Sequence, residues 1–117
     1  MAGKLYATTQ YLIKQNLLNK MFPTEAPCLQ HTIETLEMTG ALVLREAFGT
    51  RAGISDVIAC YYGRFIAFEC KSATGEQSDQ QKKFAAKVKA AGGMFVEVRC
   101  MSDVILTLDA VLSMGSK

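Results

Sequence analysis

Hydrophobic and polar positions change rhythm several times along this chain, and each change predicts a new element. Over residues 8–22, Tyr11, Leu12, Leu17, Leu18, Met21 and Phe22 recur close to helical spacing, which predicts an amphipathic helix ended by Pro23. A second helix is expected over residues 27–38, with Thr24 as N-cap, Leu29, Ile33 and Leu36 on its inner face, and Gly40 as C-cap. Residues 41–45 then form a short apolar run that reads as a strand.

Phe48-Gly49-Thr50-Arg51-Ala52-Gly53 is a glycine-bounded loop, and two strand-like runs follow over residues 54–61 and 64–71, with turn chemistry at Tyr62-Gly63-Arg64. After a polar loop at residues 73–77, Ser78-Asp79-Gln80-Gln81 has the S-x-x-Q form of a capping box. Phe84, Ala85, Val88 and Ala91 mark the buried side of the helix it opens, which ends at Gly92-Gly93. A fourth strand is expected over residues 94–100. Ser102 is expected to cap a last helix carrying Val104, Ile105, Leu108, Val111 and Leu112. The predicted order is ααβββαβα. A strand, helix, strand succession over residues 65–100 implies a parallel final pair, hence an α/β fold with helices on both faces of a mixed sheet.

Composition narrows this little. At 117 residues the chain has the size of one domain, and 50% hydrophobic with 21% charged residues excludes a disordered one. The net charge of +2 is too small to identify a partner. Cys28, Cys60, Cys70 and Cys100 stand singly, with no C-x-x-C and one histidine, His31, which argues against a zinc site. The first residues run from Met1-Ala2-Gly3-Lys4-Leu5-Tyr6 into polar Thr8-Thr9-Gln10 without a leader-like apolar core, and no run nears the roughly 20 apolar residues of a membrane span. The expectation is a soluble, cytoplasmic protein with reduced thiols and no membrane partner.

The chemistry concentrates around Gly53-Ile54-Ser55-Asp56 and Phe68-Glu69-Cys70-Lys71. Glu69 and Lys71 lie two apart in a strand, so alternation sends both to one face, and antiparallel pairing of the two runs brings Asp56 toward Glu69. Charges beside an apolar sheet are costly to desolvate unless they pair or bind a cation. Mg²⁺ is one such cation, since it takes oxygen ligands from one or two carboxylates together with water and substrate phosphate. Taken alone, such a set is more often a surface ion-pair cluster. Lys82, Lys83, Lys87 and Lys89 read either as a solvated helix face or as phosphate contacts, and Arg45, Arg51 and Arg64 as possible phosphate clamps. Tyr61 and Tyr62 read as strand packing or as a platform for an unpaired base. His31 reads as a helix-surface residue.

Gly53-Ile54-Ser55-Asp56, Glu69-Cys70-Lys71 and Gln81-x-x-Phe84 together resemble the core of the PD-(D/E)XK nuclease superfamily, and most closely its virus-type replication-repair branch, the VRR-NUC domain. The resemblance runs from about Glu25 to the final helix and includes Ala91-Gly92-Gly93. It implies a restriction-endonuclease-like sheet and Mg²⁺ or Mn²⁺ held by Asp56, Glu69 and the backbone carbonyl of Cys70. Lys71 would be the catalytic lysine, Gln81 a residue orienting the site, and Glu25 the acid of the first motif, with Glu34 and Glu37 on the same helix. Ser55 stands where the family usually has proline, which removes a fixed φ ahead of Asp56. Single-domain members resemble structure-selective endonucleases acting on branched or flapped DNA such as Holliday junctions, in prokaryotic or phage-infected cells, and tend to be homodimers. The apolar stripe of the first helix would suit such a dimer contact. Arg51, Arg45, Lys82 and Lys83 are the expected DNA contacts. A non-catalytic nucleic-acid-binding module on the same fold is the alternative.

Overall fold

In a computed structural model of the chain, residues 2–45, 57–72 and 74–114 are described. In order they form α1 (Ala2–Lys14), α2 (Glu25–Met38), β1 (Leu42–Arg45), β2 (Val57–Tyr61), β3 (Arg64–Cys70), α3 (Asp79–Ala90), β4 (Met94–Val98) and α4 (Met101–Met114). This is the succession that the apolar rhythm predicts. The strands make one mixed sheet, ordered β1-β2-β3-β4, in which β1 and β2 pair antiparallel, as do β2 and β3, and β3 and β4 run parallel.

The first helix begins at Ala2, before the predicted start at residue 8, and ends at Lys14, well short of the predicted Phe22. Asn16 turns the backbone left-handed (φ 58), and Leu17 N donates to Leu12 O at 2.8 Å while Asn16 N donates to Ile13 O at 3.0 Å, the paired bonds of a Schellman stop. Asparagine tolerates this conformation better than most side chains. The apolar pattern nevertheless continues, because Leu17, Leu18 and Phe22 rejoin the same core as irregular chain. The stripe expected to cover a partner is therefore mostly spent inside the chain's own core, with Leu12 buried. Tyr6, Tyr11 and Ile13 are the exposed apolar residues of α1.

Gly40 and Gly92, at φ 87 and φ 92, close α2 and α3 in the same way, as the glycines past each helical pattern predict. Thr24 takes the extended N-cap conformation of α2 but makes no side-chain cap bond. The β2–β3 turn is Tyr62-Gly63, both with positive φ, the two-residue hairpin loop that matches strand twist.

Alternation divides the sheet into two unlike faces. Val57, Ala59, Tyr61, Ile66, Phe68, Cys70 and Val98 face α1, α2 and α4 and form the main core with Leu36, Met101, Val104 and Leu108. The opposite face carries Ile58 and Ala67 against Val88, Phe84 and Phe95, and among the described elements α3 alone covers it. On the same face, Leu42 is 64% exposed and Leu44 48%. No described helix is long and apolar enough to cross a membrane.

Candidate functional site

Glu69 and Lys71 sit at the C-terminal end of β3, on the face that α3 covers, and both are buried, at 2% and 7% exposure. The parallel pairing with β4 continues past the strand, since Lys71 N donates to Val98 O at 3.0 Å. Alternation therefore brings the two side chains together as expected, with Lys71 Nζ 3.3 Å from Glu69 Oε2.

Gln81 completes a closed triangle. Its Oε1 accepts from Lys71 Nζ at 3.0 Å and from Ser78 N at 2.9 Å, while its Nε2 donates to Glu69 Oε2. Ser78 Oγ in turn accepts from Gln81 N at 3.2 Å, so the capping box predicted from S-x-x-Q is formed. One glutamine thus both starts α3 and orients the ion pair. This amide orientation is the one that satisfies all three partners.

A carboxylate and an ammonium removed from water offset their desolvation only with near-complete pairing. Here the amide supplies the additional hydrogen bonds. The site also lies where open α/β sheets place ligands, outside the carboxyl ends of parallel strands. Three helix N-termini gather at this end. α3 starts at the site, α4 follows β4 directly, and in the first turns of α2 the Cys28 thiol donates to Val98 O at 3.5 Å. Each first turn holds an acid, Glu25, Asp79 or Asp103, which takes up part of the positive end of its dipole. Asp103 Oδ2 accepts from Arg99 N at 2.9 Å and Cys100 N at 3.4 Å, so it secures the start of α4, and the expected cap Ser102 lies within the helix.

Several expected residues are not part of the triangle. Glu25 is exposed in the first turn of α2 and makes no ion pair with Lys71. Asp56 and Arg51 lie outside the described residues, and of Arg45 only the backbone, at the end of β1, is described. Lys82 and Lys83 are exposed on α3, immediately after Gln81. Tyr61 is a core residue, not a stacking platform, with its ring edge-on to Tyr62 at 4.7 Å. His31 stacks on Phe22 at 5.3 Å and is half-buried.

Among the described residues, no three His, Cys, Asp or Glu side chains converge as a metal-binding group. The donor chemistry of Glu69 suits a hard cation, and Glu97 is its neighbour in the β3–β4 register, but Arg99 holds Glu97 at 2.8 Å. Glu97 and Arg99 are residues that the sequence reading passed over. Their signal is visible: Glu97-x-Arg99 repeats the spacing of Glu69-x-Lys71 on the adjacent strand. No protein-family model and no curated protein matches this chain.

Proposed function

We propose that this protein is a metal-dependent, structure-selective DNA endonuclease that hydrolyses phosphodiester bonds in branched or flapped substrates. The observation that carries the reading is the buried Glu69–Lys71–Gln81 triangle at the carboxyl ends of the parallel strands. The resemblance gives Lys71 and Gln81 roles beside Glu69, and the proximity of the three supports that reading. On this reading Mg²⁺ or Mn²⁺ supplies polarisation of the phosphate and a more acidic water. Glu69 would hold the ion together with Asp56 and the Cys70 carbonyl. Gln81 keeps the Glu69 carboxylate in one orientation, Lys71 places positive charge where the phosphate gains negative charge, and Lys82 and Lys83 meet the DNA backbone. Association as a homodimer belongs to the same proposal and is checked by sedimentation of the purified chain.

The competing reading is a nucleic-acid-binding module without turnover. It is favoured by the closure of the triangle, in which Glu69 Oε2 already has cationic and amide partners. Labelled four-way junctions, flaps and plain duplex, incubated with and without Mg²⁺ or Mn²⁺, separate the two. Branched substrates should be cut only with metal, and Glu69→Gln or Asp56→Asn should abolish cutting while binding persists. Undiminished cleavage by Glu69→Gln, or no cleavage by the native chain with either metal, would overturn the nuclease reading.

A further inference from the structure

We infer that Arg99 is a positioning residue of this site, acting through the connection between β3 and α3. Its guanidinium makes three short hydrogen bonds: Nη1 donates to Ser72 O at 2.5 Å, and Nη2 donates to Gly75 O at 2.6 Å and to Glu97 Oε1 at 2.8 Å. The planar fork suits this task, because two parallel donors can bridge two carbonyls while the carboxylate fixes the plane. Glu97 thereby serves as the anchor of the clamp on β4.

The clamp reaches the triangle through Gly75. Gly75 N donates to Ser72 O at 3.2 Å, so the two carbonyls that Arg99 holds belong to one tight turn. That turn lies against the Lys71 stem: a Cβ at Gly75 would sit 3.5 Å from Lys71 Cδ and 3.2 Å from Ser72 Oγ. Beyond the turn comes Ser78, whose N–H and hydroxyl both hold Gln81. Arg99 therefore fixes the separation between the strand that carries Lys71 and the helix start that carries Gln81. Its three hydrogen bonds go to Ser72, Gly75 and Glu97 rather than to a member of the triangle.

The effect on rate rests on the nuclease reading, whereas the effect on the backbone does not, so the test reads both. Arg99→Ala and Arg99→Lys are compared with the native chain by amide hydrogen exchange and by cleavage of a labelled four-way junction with Mn²⁺. Exchange at Gly75 and Ser78 should rise at least about tenfold while amides of β3 and α4 stay within about threefold. The turnover number should fall about 10- to 100-fold with KM changed less than about threefold, because the reacting groups are displaced and DNA contacts are not. Arg99→Lys should fall nearly as far, since one ammonium nitrogen does not reproduce the planar fork whose two nitrogens hold the two carbonyls, and millimolar guanidinium should restore part of the rate of Arg99→Ala only. Native exchange at Gly75 and Ser78 in Arg99→Ala would overturn the clamp. A loss confined to KM would overturn the positioning role. If the native chain cuts nothing, the nuclease reading fails and exchange alone decides whether Arg99 holds the turn.

Discussion

Three helices seal one face of the sheet and a single helix covers part of the other, yet the buried charges lie under the single helix. The sealed face contains large apolar side chains in mutual contact, with Phe68, Leu36 and Leu108 fully buried. The other holds a small cluster around Ala67 and Val88, an exposed apolar margin at Leu42 and Leu44, and the Glu69–Lys71–Gln81 triangle. The packed core and the buried ion pair are thus drawn from different sides of the same strands. A strand such as β3 serves both at once because successive residues point opposite ways. Phe68 and Cys70 anchor it in the core, and Glu69, between them, is presented with little freedom to move.

The largest expected effect tests the division itself. Phe68→Ala should cost about 3–5 kcal/mol in urea unfolding, as for other fully buried phenylalanines, whereas Phe65→Ala, three residues earlier on the other face and 46% exposed, should cost about 1 kcal/mol or less. Equal losses would erase the distinction between the faces. Next in size is Lys71→Met. Leaving the Glu69 carboxylate buried without its cation should cost about 3 kcal/mol, and the added change Glu69→Gln should recover most of it. A double variant no more stable than the single one would mean that the pair is not coupled.

The smallest effect lies on the sealed face and has the opposite sign. The Tyr61 hydroxyl is buried and meets no hydrogen-bond partner among the described residues, so Tyr61→Phe should stabilise the fold by up to about 1 kcal/mol. Burial, and then the neighbouring Tyr62, push its phenol above the ordinary 10.0. The folded chain therefore keeps this proton at pH values where the unfolded chain has released it. Stability from Tyr61 is complete below about pH 10 and is lost as pH rises through the folded value. Tyr61→Phe should flatten that alkaline decline in melting temperature, and an unchanged decline would assign it to other groups.

Much of this was legible in the residues. The element order follows from apolar rhythm, the Glu69–Lys71 contact from alternation along one strand, and the role of Gln81 in starting α3 from its distance to Ser78. Two failures have physical causes. The first helix is predicted too far along the chain, over residues 8–22 against Ala2–Lys14, because Leu17, Leu18 and Phe22 return to the same core after the chain has turned at Asn16, so hydrophobic spacing continues where the helix does not. Arg99 is not legible in the sequence because two of its three partners are main-chain carbonyls, which leave no trace in side-chain identity. Only its spacing from Glu97 echoed the neighbouring strand.

The sharing of Gln81 between a helix start and an ion pair makes the buried charges adjustable from outside. Ser78 touches neither charged group, yet it holds the backbone and the amide oxygen of the residue that does. Exchanging Ser78 for threonine, asparagine or glycine would vary the stiffness of that bracket in graded steps, with every ionisable side chain left as it is. Natural drift or a designer thus has a tuning screw on the solvent side of the molecule, one turn of helix away from the ion pair it steadies.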